Sequence, residues 1–254
     1  MDTRFDRTYV INLSRRQDRF ERFVTGVNDV RPWPFDPPRR YIAYDGLTSK
    51  LPAHIMATTM GPGGFGLLVT TALLLNQVYS EGCETVLLFE DDCVFCDNFG
   101  EKSSVFMQKV PDDWDMVYFG GCLRSPRNNP PVVVNDLVIR PYMVTATHCV
   151  AIKRTIIPEI LKRIWWLPYE IPDALMARLH AEAYKGEAGW NIYLARWRLA
   201  GQHGDVVSDI TYKMLNRDPD NDPPRFWQGN FIDDKHREDE WAKQSEVYEP
   251  YLTS

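Results

Sequence analysis

The sequence is poor in cysteine and has no long run of uncharged apolar residues. Its five cysteines in 254 residues are too few and too scattered for a disulfide framework. The longest nearly uncharged stretch, residues 61–79, contains a proline and several glycines, so it is a poor candidate for a membrane span. The first residues are charged and form no apolar signal core. We therefore expect a cytoplasmic protein, with a peripheral position at the inner membrane face as the alternative.

Several enzyme signatures are missing as well. The sequence contains no HExxH and no G-x-S-x-G, and the glycine-rich run 61–66 has no Walker lysine. We expect that run to form a tight turn before a helix over 67–79, with a phosphate cradle as the alternative. The pair Cys93 and Cys96 has no second CxxC to complete a zinc site, and it therefore predicts buried, reduced thiols.

The net charge of −6 provides no general basic surface for nucleic acid. The acidic excess lies after residue 200, whereas the first fifty residues are rich in arginine. Hydrophobic residues make up 44% and charged residues 25% of the chain, which excludes a disordered or fibrous protein. The length suits one domain over 1–254, with halves at about 1–120 and 121–215 and an acidic tail over 216–254.

Short apolar runs alternate with helical patterns through the first half of the chain. The runs 8–13 and 85–89 are typical of buried strands, and 144–152 is predicted as a later one. The alternation predicts an α/β fold with a mostly parallel central sheet flanked by helices. A predicted helix over 156–166 ends in two tryptophans, Trp165 and Trp166. We expect this end to pack in the core, with contact to lipid as the alternative.

The sharpest local feature is the acidic triplet Glu90-Asp91-Asp92, which follows the predicted strand 85–89 at once. Ligands of open α/β sheets bind outside the carboxyl ends of the strands. Three adjacent carboxylates repel one another unless a positive charge neutralises them, and oxygen ligands suit Mg²⁺ or Mn²⁺. The triplet therefore predicts a divalent cation bound beside a diphosphate, and an ordinary acidic loop is the alternative.

A set of fragments in fixed order resembles glycosyltransferase family 25, which includes lipooligosaccharide and procollagen galactosyltransferases. The fragments run from residue 8 to residue 210: Tyr9-Val-Ile-Asn-Leu13 with the arginines after it, Asp45-Gly46, Leu87-Leu-Phe-Glu90-Asp91-Asp92, Trp114-Asp115-Met-Val-Tyr-Phe-Gly120, Thr147-His148-Cys-Val-Ala-Ile-Lys153, Ile171-Pro172-Asp173, and Gln202 with Ser208-Asp209-Ile210. The fragment over 63–71 departs from the family's G-x-x-G-C-x-x-S-H pattern, because Leu67 stands where the family has Cys and Thr70-Thr71 where it has Ser-His. That departure leaves the acceptor open.

The resemblance implies a GT-A-type fold and an inverting, metal-dependent enzyme. It would move a hexose, galactose or glucose, from a UDP-sugar to a hydroxyl acceptor such as a glycan or glycolipid. The same chemistry on a hydroxylated protein or a hydroxymethylated DNA base is an alternative, and so is a non-catalytic module that binds sugar nucleotides or glycans. The implied cofactor is Mn²⁺ or Mg²⁺.

The resemblance also assigns roles to residues. Asp173 becomes the candidate catalytic base, with Asp115 and Asp209 as alternatives. Asp92 is the candidate metal ligand, assisted by Glu90 and His203. The residues expected to hold the nucleotide and its diphosphate are Asn12, Arg15, Arg19, Asp45, Glu90 and Asp91.

Overall fold

The computed structural model describes residues 5–50, 61–124, 126, 128–167, 170–203 and 231–232. The predicted tail over 216–254 and the alternative base Asp209 lie outside these residues, apart from the backbone of 231–232. The predicted division of the chain into halves stays a prediction. Among the described residues, none of the helices is both long and apolar enough to cross a membrane.

The described part of the chain contains five helices and thirteen strands. The helices are α1 (Gln17–Asp29), α2 (Gly61–Ser80), α3 (Phe99–Lys109), α4 (Ile157–Trp166) and α5 (Pro172–Tyr184). The strands are β1 (Arg7–Leu13), β2 (Arg39–Ala43), β3 (Thr85–Glu90), β4 (Cys93–Phe95), β5 (Met116–Tyr118), β6 (Cys122–Leu123), β7 (Val132–Val133), β8 (Val138–Arg140), β9 (Val144–Thr145), β10 (Cys149–Lys153), β11 (Ile192–Ala195), β12 (Ala200–His203) and β13 (Phe231–Ile232).

Eight strands form the central sheet in the order β2-β1-β3-β10-β5-β11-β8-β7. The pairings set six of the strands in one direction, with β8 and β10 reversed. This confirms the predicted α/β class, with a mostly parallel central sheet flanked by helices. Two smaller sheets, β13-β12-β4 and β6-β9, lie beside it.

The continuous apolar run of β3 is explained by cores on both faces of the sheet. Val86 and Leu88 belong to one buried cluster, whereas Leu87 and Phe89 belong to the other. Because successive side chains of a strand point to opposite faces, a strand buried on both sides must be apolar at every position. The second cluster is rich in aromatic rings and also contains Cys93 and Cys96, which are free and buried as predicted.

The prediction of a turn over 61–66 is wrong, because α2 already begins at Gly61. The glycines serve close packing. A Cβ atom on Gly66 would lie 2.5 Å from the carbonyl oxygen of Tyr44, and one on Gly46 would lie 1.9 Å from that of Pro62. The start of α2 therefore packs directly against the Asp45-Gly46 turn. A side chain at Gly46 or Gly66 would prevent this close contact.

The single strand predicted over 144–152 is also wrong, because β9 and β10 are separate. Ala146 lies between them with φ of 70°, in the left-handed region that only glycine enters without strain. Non-glycine residues in this region cost free energy and cluster at functional sites. Ala146 precedes Thr147, which lies at the candidate site described below.

The expectation that the end of α4 packs in the core is wrong as well. Trp165 is 84% exposed and Trp166 is 76% exposed, whereas Ile164 beside them is buried. The inward stripe of α4 consists of Ile157, Ile160 and Ile164, and the two tryptophans lie away from that stripe.

Candidate functional site

One edge of the central sheet collects most of the polar residues that the sequence singled out. Because β1, β2 and β3 are parallel, their carboxyl ends meet at this edge, with Ile11 opposite Glu90 and Asn12 opposite Ile42. Strand β10 is antiparallel to β3, so its beginning lies at the same edge. Strand β12 reaches it through β4, and the N–H of His203 donates to the carbonyl of Asp92 at 2.9 Å.

The first group of residues at this edge is the arginine cluster, formed by Asn12, Arg19, Asp91 and Asp92. The Arg19 guanidinium lies 2.9 Å from Asp91 Oδ1 through Nε and 2.7 Å from Asp92 Oδ2 through Nη2. Asn12 Nδ2 donates to Asp91 Oδ2 at 2.5 Å. Burial nevertheless raises the pKa of Asp91 to about 6, although Arg19 favours its charged form. A buried guanidinium therefore supplies part of the positive charge that the triplet requires.

Arg40 supports this cluster from β2. Its Nε and Nη2 donate to Asn12 Oδ1 at 2.9 and 2.5 Å, and its Nη1 donates to Gln17 Oε1 at 2.8 Å. These bonds fix the orientation of the Asn12 amide, so that its Nδ2 faces Asp91. Arg40 was not predicted to be part of the site. The signal that could have found it is an arginine in a strand expected to lie beside Asn12.

Arg15 and Asp45 form a second, more exposed pair near the same edge. Arg15 Nε lies 2.7 Å from Asp45 Oδ2, and Asp45 Oδ1 accepts from the N–H of Leu47 at 3.0 Å. The structure thus brings together two residues that the sequence predicted separately. Their roles toward a nucleotide stay predictions.

The second group is the threonine cluster, formed by Glu90, Thr147, Asp173 and Gln202. The Thr147 hydroxyl lies 2.6 Å from Glu90 Oε1 and 3.1 Å from Asp173 Oδ1. Gln202 Nε2 donates to Glu90 Oε2 at 3.2 Å, and the N–H of Ala146 donates to Asp173 Oδ2 at 2.8 Å. Glu90 therefore turns away from its neighbours in the triplet and toward Asp173.

The threonine cluster favours a proton on one of its two carboxyl groups. One hydroxyl proton cannot serve two ionised carboxylates equally, so the arrangement favours one neutral carboxyl group. Burial, together with the negative charges of Asp92 and Asp173, raises the pKa of Glu90 well above its ordinary value. The Thr147 hydroxyl can donate its one proton to Glu90 Oε1 or to Asp173 Oδ1, and the raised pKa makes Glu90 a carboxyl group that gains a proton readily. Burial also raises the pKa of Asp173, opposed by the hydrogen bonds from Ala146 and Thr147.

Helix α5, which carries Asp173 in its first turn, is anchored by a second side chain. His180 Nδ1 accepts from the N–H of Val144 at 3.2 Å, so its Nε2 carries the proton and donates to the Tyr118 hydroxyl at 3.2 Å. Burial lowers the pKa of His180 to about 3 and keeps the ring neutral. Asp173 and His180 together satisfy the backbone N–H groups of Ala146 and Val144.

The alternative base Asp115 has a structural role. Its Oδ1 accepts from the Thr155 hydroxyl at 2.7 Å and its Oδ2 from the N–H of Asn191 at 2.9 Å. Thr70, at the family's serine position, also makes structural bonds. Its hydroxyl accepts from the N–H of Tyr44 at 2.9 Å and donates to the Gly66 carbonyl at 2.7 Å. Thr71, at the histidine position, is buried.

The fit of the site to Mn²⁺ or Mg²⁺ depends on Asp92. Among the described residues, no group of three or more His, Cys, Asp or Glu side chains is arranged to hold a metal ion. Asp92 Oδ1, however, is buried without a hydrogen-bond partner there. Mg²⁺ commonly binds one or two carboxylates together with substrate phosphates and water, rather than a cage of protein ligands. Asp92 fits that kind of site, whereas the roles of Glu90 and His203 as ligands stay predictions.

Sequence reasoning missed Thr147 and Gln202 as parts of the site, although both lie in fragments that carry the family resemblance. Thr147 is separated from Glu90 by 57 positions and Gln202 by 112. Their contact depends on the reversed strand β10 and on the pairing of β12 with β4. The signal available in the sequence was the presence of hydrogen-bonding side chains beside predicted strand ends.

The mostly parallel sheet and its acidic edge agree with the α/β fold that the resemblance implies. The chain is similar to curated proteins of glycosyltransferase family 25, which confirms the resemblance seen in the sequence. It is 30% identical over 146 residues to the human protein named inactive glycosyltransferase 25 family member 3, a match covering 50% of this chain and 24% of the human one. It is 28% identical over 164 residues to the bovine protein named probable inactive glycosyltransferase 25 family member 3, covering 57% of this chain and 26% of the bovine one.

The chain thus spans about a quarter of the length of the curated relatives it matches. No family model matches it. Among solved structures, a glycosyltransferase involved in the glycosylation of the major capsid of PBCV-1 aligns with a TM-score of 0.36 and 10% identity. That alignment covers 73% of this chain and 80% of the other.

Proposed function

We propose that this chain is an inverting, metal-dependent glycosyltransferase that moves a hexose, galactose or glucose, from a UDP-sugar to a hydroxyl acceptor on a glycan or glycolipid. The observation that carries the proposal is the adjacency of the two clusters at one sheet edge. Glu90, Asp91 and Asp92 are consecutive, yet Asp91 and Asp92 bind Arg19 while Glu90 is bonded through Thr147 to Asp173. One edge thereby offers cationic and amide groups for a diphosphate beside the half-buried carboxylate of Asp173 for an acceptor.

The arginine cluster would bind the donor. Arg15 and Arg19 carry guanidinium groups that suit a diphosphate, and Asn12 provides amide hydrogen bonds at the end of β1. Asp92 would hold Mn²⁺ or Mg²⁺ through its buried Oδ1, with Glu90 and His203 as further predicted ligands. When bound, the cation would neutralise charge on the departing diphosphate.

Asp173 would act as the base. An acceptor hydroxyl placed beside Asp173 would lose its proton to a carboxylate oxygen as its own oxygen forms a bond to the anomeric carbon of the sugar. The bond from that carbon to UDP breaks on the opposite face, which inverts the configuration. The raised pKa of Asp173 suits this role, since a base is most effective when its pKa approaches the working pH.

A second candidate is a non-catalytic module that binds a sugar nucleotide or glycan. It is favoured by the names of the curated relatives, which describe those proteins as inactive. Transfer to a hydroxylated protein or a hydroxymethylated DNA base is an alternative for the acceptor. The net charge of −6 is unfavourable for the DNA acceptor.

The test is a calorimetric titration with a panel of nucleotide sugars, with and without Mn²⁺, together with measurement of released nucleoside diphosphate. We expect one UDP-hexose to bind in a Mn²⁺-dependent way and to be hydrolysed slowly. Asp92→Asn should abolish the Mn²⁺ dependence, whereas Asp173→Asn should retain donor binding and lose turnover. Donor binding without UDP release in the wild type, under every acceptor tried, would establish the non-catalytic module instead.

A further inference from the structure

The end of helix α4 carries the most exposed large apolar side chains among the described residues. Trp165 and Trp166 are 84% and 76% exposed, whereas the next most exposed, Leu73, reaches 54%. Leu167 extends the patch at 38%. Large aromatic rings in water are unfavourable, and adjacent exposed ones mark a surface that is covered by something else. We name Trp165, Trp166 and Leu167 the tryptophan patch.

We infer that the tryptophan patch docks the protein on the surface of a lipid bilayer. An indole ring combines a flat apolar body with one N–H donor, and this combination places tryptophan at the boundary between lipid and water. Two such rings at the end of a helix can enter the head-group region without any shape-complementary partner. The inference goes beyond the proposed function and does not depend on it.

The size of the patch argues against a protein partner. An aromatic side chain such as an indole can bury about 150–250 Å², so two indoles that are 84% and 76% exposed offer roughly 240–400 Å². A stable specific interface requires about 800 Å² from each partner, which also applies to a second copy of this chain. The remaining area would have to come from the surroundings of the patch.

The residues around the tryptophan patch are charged, and they form salt bridges with one another. Arg163 binds Glu159 at 3.0 Å and Glu182 at 2.5 Å. Lys162 lies 3.3 Å from Glu159, and Arg178 pairs with Glu170. Charged residues are depleted from the centres of protein interfaces, so these surroundings do not enlarge the tryptophan patch into an apolar protein interface.

The charges around the tryptophan patch also predict how its binding to a bilayer depends on lipid charge and salt. Three cationic side chains, Lys162, Arg163 and Arg178, stand against three carboxylates, Glu159, Glu170 and Glu182, so the patch has no net charge to attract anionic lipid. Binding should therefore come from the indoles, and it should be independent of anionic lipid and of salt.

The patch is also close to the candidate site along the chain. Only seven positions separate Trp166 from Asp173, and seven residues span at most about 25 Å. Trp166 at the bilayer surface would therefore lie no more than about 25 Å from Asp173.

The test is co-sedimentation of the full chain with sucrose-loaded vesicles of pure phosphatidylcholine, or of equimolar phosphatidylcholine and phosphatidylglycerol. The variants are Trp165→Ser, Trp166→Ser and the double variant, and Leu73→Ser is the matched exposed control. We expect the wild type and Leu73→Ser to bind both kinds of vesicle equally at low and high salt. Each single tryptophan variant should lower the partition about tenfold, and the double variant should stay in the supernatant. Unfolding midpoints should be unchanged, since the replaced side chains are exposed.

Three results would overturn the inference. The wild type could remain in the supernatant with both lipids. It could bind only the anionic vesicles and dissociate in salt, in which case a basic surface elsewhere is responsible. It could instead form a dimer by light scattering that Trp165→Ser and Trp166→Ser dissociate, without binding vesicles, in which case the patch is covered by a second copy.

Discussion

The arginine cluster and the threonine cluster lie side by side but stabilise their carboxyl groups in different ways. In the arginine cluster, a buried guanidinium binds Asp91 and Asp92 directly. In the threonine cluster, neutral donors hold Glu90 and Asp173: a hydroxyl, an amide and a backbone N–H. Arg19 favours the charged form of Asp91 and so opposes the effect of burial on its pKa, and a charged carboxylate suits the binding of further ions. Neutral donors oppose burial less, so the pKa of Glu90 rises well above its ordinary value, and a carboxyl group of that kind suits proton transfer.

The largest expected effect comes from removing the Arg19 guanidinium. Arg19→Met should lower the free energy of unfolding by about 3–5 kcal/mol at pH 7.5, because Asp91 and Asp92 would remain buried without their partner. Equilibrium unfolding in urea measures the change. The loss should shrink at pH 4.5, because Asp91, whose pKa burial raises to about 6, is protonated there. A loss independent of pH would mean that Arg19 stabilises the protein by packing alone.

Helix α5 should also lose stability in acid, because the buried ring of His180 is held neutral. Burial lowers the pKa of His180 to about 3 from its ordinary value near 6.5. Its stabilising contribution is therefore complete above pH 6.5 and is lost as the pH falls toward 3, by at most about 1.4 kcal/mol per pH unit. The wild type should accordingly lose its stability advantage over His180→Asn across this window, as measured by urea unfolding at several pH values. A constant difference would show that His180 is not the titrating group.

Two variants of Thr147 test whether its hydroxyl positions Glu90 and Asp173 or whether the side chain only stabilises the fold. Thr147→Val keeps the shape of the side chain but removes the hydroxyl between Glu90 and Asp173, and it should lower kcat of transfer about tenfold. Thr147→Ser should retain most of the rate, because it keeps the hydroxyl. Calorimetric donor binding should be the same in both variants, since the arginine cluster is untouched. Equal losses in the two variants would point to packing of the threonine methyl group instead.

The smallest expected effect belongs to the exposed pair. Arg15→Met should change the free energy of unfolding by less than about 1 kcal/mol, because Arg15 and Asp45 are accessible to water and screened by salt. Comparison with Arg19→Met under the same conditions isolates the contribution of burial to the strength of an ion pair. If Arg15→Met and Arg19→Met lowered the free energy of unfolding equally, burial would not explain the strength of the Arg19 ion pairs.

Much of the site's donor-binding side could be predicted from the sequence because it depends on local order. The triplet follows β3 directly and Asn12 lies at the end of β1, so parallel pairing alone brings them together. The threonine cluster required more. A continuous strand over 144–152 was expected, and the break at Ala146 that precedes Thr147 is a backbone conformation that alanine does not signal. Arg40 was missed for a related reason, because its partner Asn12 lies across a strand pairing.

The errors elsewhere have the same origin. The glycines of α2 were expected to make a turn, but they allow a helix to approach the backbone at Tyr44. The tryptophans of α4 were expected in a core, but the inward face of that helix was already filled by Ile157, Ile160 and Ile164. In both cases the residue types indicated a structural role, but that role depended on packing against other parts of the fold, which the local sequence does not show.

By itself, the sequence determined the α/β class, the strands that are apolar throughout, and the acidic triplet at the end of β3. These features follow from hydrophobic periodicity and from the chain's local order. Only the tertiary structure decided that Arg19 neutralises Asp91 and Asp92, that Glu90 turns to Thr147 and Asp173, and that two indoles face water. The physical reason is that charge compensation, proton sharing and exposure depend on distances between residues, which the reversed strand β10 and the packing of α4 and α5 establish.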